Sequence, residues 1–87
     1  MTLNFPNASR SYDAKNGFVC FWGYDNVMEI SFFLELDALD VPGLPSTPGE
    51  TEYLKTFDAA LERIHDVARK IYGRTGKSAC VLTAGDF

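Results

Sequence analysis

The sequence predicts an α+β fold: a two-layer sandwich in the order β-β-β-α-β. It would hold an antiparallel β-meander, a fourth strand, and one long helix packed on one sheet face. Three observations carry this. Asn16-Gly17 is a strong hairpin signal, because both residues tolerate positive φ. The segment "VMEISFFLEL" alternates apolar and polar residues as a half-buried strand does. Leu54, Phe57, Leu61, Ile64, Ala68 and Ile71 recur at steps of three and four, which is one helical stripe.

The elements follow in order. With Asn16 and Gly17 at the two turn positions, Lys15 faces Phe18, Ala14 faces Val19 and Tyr12 faces Phe21. A second turn at Asp25-Asn26 sets Tyr24 opposite Val27, Trp22 opposite Glu29 and Phe21 opposite Ile30. The third strand places Ile30, Phe32 and Leu34 on one side and Glu29, Ser31 and Phe33 on the other. Carried across the meander, these registers define two faces. Face A holds Tyr12, Ala14, Val19, Phe21, Ile30, Phe32 and Leu34. Face B holds Asp13, Lys15, Phe18, Cys20, Trp22, Glu29, Ser31 and Phe33.

Asp37 is placed to cap a helical turn from Ala38 to Val41. "DALDVPGLPSTPG" then spaces Pro42, Pro45 and Pro48 three apart, which reads as a stiff connector; a PxxP ligand is the alternative. The helix is expected from Pro48 to Tyr72. Thr47 would be its N-cap, Glu50 would complete a capping box, and Gly73 would be the left-handed residue that ends it. Ser78 to Ala84 reads as the fourth strand, with Cys80 and Leu82 on one side and Ala79 and Val81 on the other. Its neighbour in the sheet is not fixed by the pattern.

At this point the chain resembles a known family. "LNFPNASRSYD", "FWGYD", "SFF", "FDAALERIHDVARKIYGR" and the closing "LTAGDF" are similar to the domain of unknown function family DUF1488. The likeness spans nearly the whole chain except the proline-rich connector. It implies a small bacterial α+β domain, and it supplies no catalytic residues. Many relatives are expected to carry His where this chain has Tyr24, which argues against a catalytic role there.

Composition bounds the function classes. Eighty-seven residues make one domain, 1–87, with a thin core. A formal net charge of −4 argues against a general nucleic-acid binder and against an anionic membrane as partner. The start, "MTLNFPNASR", shows no signal-peptide pattern and no apolar run is long enough to span a bilayer, so a cytoplasmic protein is expected. Cys20 and Cys80 are then expected as reduced thiols. Asn7-Ala8-Ser9 matches a glycosylation sequon, which has no meaning without secretion.

The candidate chemistry is sparse. "GRTGKS" ends like a phosphate loop, but Gly73 and Gly76 enclose two residues where that loop needs four. The order is also helix-to-strand, which presents the carbonyl end of the helix to an anion. Arg69, Lys70, Arg74 and Lys77 cluster at this turn. Their ordinary role is to complement the helix dipole; the alternative is an anion or nucleic-acid patch. Glu62 and His65 form one Glu-x-x-His unit, whereas di-iron bundles use two with further glutamates. No metal and no cofactor are therefore expected. Cys20 lies on the face opposite the helix, so a Cys–His dyad is not expected either, and neither is enzyme activity. Face B remains the anomaly, since one helix covers one face and Phe18, Trp22 and Phe33 are left on the other. Exposed apolar patches of this kind mark interaction surfaces. Either a protein partner (a second copy included) or the N-terminal segment, through Leu3 and Phe5, should cover them.

Overall fold

The computed structural model describes residues 3–6, 10–39 and 49–87. Five strands form one mixed sheet and two helices cover one side of it. The strands are β1 (Leu3–Asn4), β2 (Arg10–Asp13), β3 (Phe18–Asp25), β4 (Met28–Glu35) and β5 (Ala79–Leu82). A 3-10 turn, Leu36–Leu39, follows β4. The helices are α1 (Glu50–Ala59) and α2 (Leu61–Thr75), and a second 3-10 turn, Ala84–Asp86, follows β5. The connector prolines Pro42, Pro45 and Pro48, the cap Thr47 and the sequon at Asn7 lie outside the described residues.

The two hairpins form where the turn signals stand, but both registers differ from expectation. Tyr12 pairs with Val19 rather than Phe21, because the first loop spans four residues, Ala14 to Gly17. Gly17 adopts φ 77° and its N–H donates to the Asp13 carbonyl at 2.9 Å. The Asp13 carboxylate also accepts from the Asn16 backbone and side chain, which stabilises the wider loop. In the second hairpin the turn residues are Asn26 and Val27, with Asn26 at φ 57°, so Phe21 pairs with Phe32 rather than Ile30. Each slip is by two residues, the strand repeat, so every paired side chain keeps its face, while Ala14 and Lys15, expected on faces A and B, stand instead in the first loop. Val19, Phe21, Ile30, Phe32 and Leu34 are all buried, as the alternation requires.

The first strand was not foreseen. β1 and β2 follow one another along the same edge of β3, with Leu3 opposite Asp25 and Tyr12 opposite Val19. The odd slip between them puts odd-numbered residues of β1 and even-numbered residues of β2 on face A. Phe5 is therefore half-buried against the core, 6.0 Å from Phe21 and 5.9 Å from Phe32, ring to ring. Leu3 and Phe5 are thus not the cover of face B.

β5 joins β4 in parallel, with Ser31 opposite Ala79 and Leu34 opposite Leu82. The sheet is mixed, since a parallel neighbour requires a crossover connection, which the helices provide. Cys80 and Leu82 are the buried pair of this strand, as expected.

The helical region is two helices, not one. Ala60 leaves helical geometry at φ −108°, ψ 17°, and no Gly or Pro marks the place. The break lets α1 lie against β2 and α2 against β5. α1 is held by a two-point Arg10–Asp58 ion pair (2.9 Å each) and by Tyr12 stacked on Tyr53. α2 is held by the Tyr72 hydroxyl, which donates to Asp25 at 2.7 Å and whose pKa that carboxylate raises. Glu52 rather than Glu50 closes the start of α1, accepting from the Gly49 N–H at 3.2 Å. α2 also runs through Gly73 to Thr75. Its left-handed end is Gly76, at φ 64°, whose N–H donates to the Tyr72 carbonyl at 2.7 Å. Phe57, Ile64, Val67, Ala68 and Tyr72 are the buried helical residues. The expected stripe members Leu54, Leu61 and Ile71 flank them, half-buried.

Gly23 marks where the Leu3 and Phe5 side chains of the N-terminal strand cross over β3. A Cβ there would sit 2.9 Å from a Phe5 ring carbon, 3.0 Å from a Leu3 methyl and 3.1 Å from the Asn4 carbonyl oxygen. Gly23→Ala is expected to push β1 off the sheet and to destabilise the fold by about 1–3 kcal/mol, the usual cost of overpacking. Urea unfolding followed by Trp22 fluorescence measures this, and an unchanged midpoint would contradict the crossing.

Candidate protein-interaction face

Both helices and the Leu3 and Phe5 side chains lie on face A, so among the described residues no element is stacked on face B. Strand pairing orders that face into rows. Cys20, Phe33 and Val81 stand side by side across β3, β4 and β5. Trp22, Ser31 and Ala79 form the next row, and Asp13, Phe18 and Glu35 the row on the opposite side. The rings of Phe18 and Phe33 meet at 5.8 Å. Phe18, Trp22 and Phe33 are half-buried by their neighbours on the pleated surface, while Val81 is 50% exposed.

Carboxylates bound this apolar band at both ends. Asp13 and Glu35 flank Phe18 at one end. At the other, Glu29 accepts from the Tyr24 hydroxyl at 3.1 Å, which raises the tyrosine's pKa. Hydrogen bonds from Asn16 lower the pKa of Asp13 and keep it charged. Val81 is the member of the band that sequence reasoning missed. Its alternation with Cys80 and Leu82 was legible, but its place beside Phe33 depended on which strand β5 would join.

The basic turn is dispersed. Arg69 turns away from it: the guanidinium donates to the Leu3 carbonyl at 3.5 Å and to Asp66 at 3.1 Å, and lies 5.2 Å from the centre of the Phe5 ring. Lys70, Arg74 and Lys77 are exposed, and Arg74 stands in the last helical turn, where a cation complements the dipole. The phosphate-loop geometry is not formed, because Gly76 ends a helix and Ala79 begins a strand.

His65 is stacked on Phe5, 3.8 Å between centroids and 6° between planes, with Phe21 beyond at 5.9 Å. Among the described residues, no group of three or more His, Cys, Asp or Glu is arranged to hold a metal ion. Among the described residues neither thiol is hydrogen-bonded to His65. Cys80 is buried and within 3.5 Å of the Lys77 carbonyl. Cys20 is on face B, where burial and then the Asp13 charge raise its pKa and disfavour the thiolate.

Burial, and secondarily the Arg69 guanidinium, lower the pKa of His65 below its usual 6.5, against a smaller opposing pull from Asp66. The unfolded chain therefore takes up this proton first as pH falls. The contribution of neutral His65 is intact above the unfolded pKa and is lost as pH drops from there through the folded value. Melting temperature is expected to decline as pH falls below the usual histidine value of 6.5, and to decline less in His65→Phe, which preserves the stack. Parallel pH profiles for the two proteins would exclude His65 as the source.

No helix among the described residues is long and apolar enough to cross a membrane. No curated protein and no solved structure matches the chain. One family model does, over residues 3–82, and that span covers the β1–β3 crossing, the aromatic face and both helices. The chain belongs to the family of proteins of unknown function DUF1488.

Proposed function

We propose that this domain is a non-enzymatic protein-interaction module whose binding surface is face B, centred on Trp22, Phe33 and Phe18. The carrying observation is the one-sided architecture: α1, α2 and Phe5 all lie on face A, and the aromatic residues of the other face are left at the surface. An apolar centre with a polar rim is the usual anatomy of a protein interface, and Trp and Phe are enriched in such centres. The carboxylates at both ends favour a partner with an apolar centre and basic residues at its margin. They disfavour face-to-face docking of two copies, in which like charges would meet. The non-enzymatic part of the reading is supported by the stacking of His65 on Phe5, with neither thiol hydrogen-bonded to it. A nucleic acid or anion at the basic turn is less well supported, because Arg69 is engaged by Leu3, Asp66 and Phe5.

Trp22 is the single tryptophan and reports on the surface directly. In the isolated protein it is expected to be quenched by acrylamide. On affinity capture from a cell extract, the native protein should retain partners that a folded Trp22→Ala/Phe33→Ala variant loses. A single alanine at a hot spot of this kind lowers affinity by about 2 kcal/mol, roughly thirtyfold. The reading fails if Trp22 is shielded from quencher in the monomer, or if both proteins retain the same partners.

A further inference from the structure

The outer edge of β5 carries a second recognition element, made of backbone groups rather than of face B side chains. Its phase is set by one bond: the Ser31 N–H donates to the Ser78 carbonyl at 2.8 Å. In a parallel ladder this turns the amides and carbonyls of the even-numbered residues toward β4 and those of Ala79 and Val81 outward. Among the described residues no backbone group pairs with those outward groups, and both residues are exposed. Natural edge strands are ordinarily blunted by charge, proline or a bulge. "ACVL" has none of these. Beside it, a hollow of about 290 Å³ opens between the edge and α2, lined by Ile71, Thr75, Lys77, Ala79, Cys80 and Val81.

We infer that the β5 edge pairs antiparallel with the β5 edge of a second copy of this chain, about a two-fold axis at Cys80. The register follows from hydrogen bonding. An axis at Cys80 makes Ala79 and Val81 of the partner subunit exchange both bonds, and the reverse pair does the same. An axis at Val81 would also require the Thr83 N–H, which already donates to Asp86 at 2.8 Å. Charge favours the same arrangement. Lys77 precedes the strand and the Asp86 carboxylate is held at Thr83 after it, so antiparallel pairing sets Lys77 beside the partner's Asp86. Parallel pairing would oppose like charges instead. The seam also sets the exposed Val81 against the partner's Ala79 and joins the two apolar bands into one surface. It uses groups separate from the face B reading and stands if that reading fails.

Light scattering is expected to show a particle of twice the 9.7 kDa chain mass. Ala79→Pro deletes an outward donor and spares the bonds to β4, so it should give a folded monomer, since proline is tolerated at a sheet edge. Trp22→Ala should remain a dimer. A monomer at every concentration tested overturns the seam. So does a dimer that survives Ala79→Pro and is lost in Trp22→Ala. If Ala79→Pro does not fold, hydrogen exchange on the native protein decides the matter. Protection of the Ala79 and Val81 amides should rise with protein concentration, and exchange that is fast at every concentration overturns the proposal.

Discussion

Phe21 meets rings from four other parts of the chain. It is stacked on Phe32 of β4 at 5.1 Å, meets Phe57 of α1 edge-on at 5.4 Å, and adjoins Phe5 at 6.0 Å and His65 of α2 at 5.9 Å. The fold depends on this aromatic junction, because each contact brings a different segment onto face A. A small domain has few such positions and buries a limited share of its surface. One side of the sheet therefore takes up the core-forming segments, and the other keeps aromatic residues at the surface.

The same economy accounts for the close crossing at Gly23. Phe5 can reach Phe21 and His65 only if β1 passes within van der Waals distance of β3, and a side chain at position 23 would occupy that space. Arg69 then closes over Phe5 from α2 and bonds the Leu3 carbonyl. A basic residue that looked like part of an anion patch is thereby a clasp on the N-terminal strand. Nothing local in "LNF" or in "FVCFWGYD" along β3 specifies such a crossing.

The legible parts of this structure are those that depend on parity and local chemistry. Alternation in β4 and the turn residues at Asn16-Gly17 and Asn26 placed every strand-paired meander side chain on its observed face, although both registers slipped by two and Ala14 and Lys15 fell in the loop. A two-residue slip changes cross-strand partners and leaves face assignment intact, which is why Phe18, Trp22 and Phe33 could be singled out without a correct register. The break at Ala60 was not legible, since "DAALE" contains no breaker. The end of α2 at Gly76 rather than Gly73 was a choice between two glycines that local propensity does not separate.

The sequence by itself determined the meander strands and β5, which face their side chains take, that a helical region follows the connector, and which family the chain resembles. Periodicity and turn chemistry are local, and each is written within a few residues. Only the tertiary structure decided that β5 lies parallel beside β4, that Val81 extends the aromatic band, that Phe5 crosses to face A, and that Ala79 and Val81 turn their backbone groups outward. These depend on contacts between residues far apart in the chain, where the gain from burying rings at Phe21 outweighs local preference.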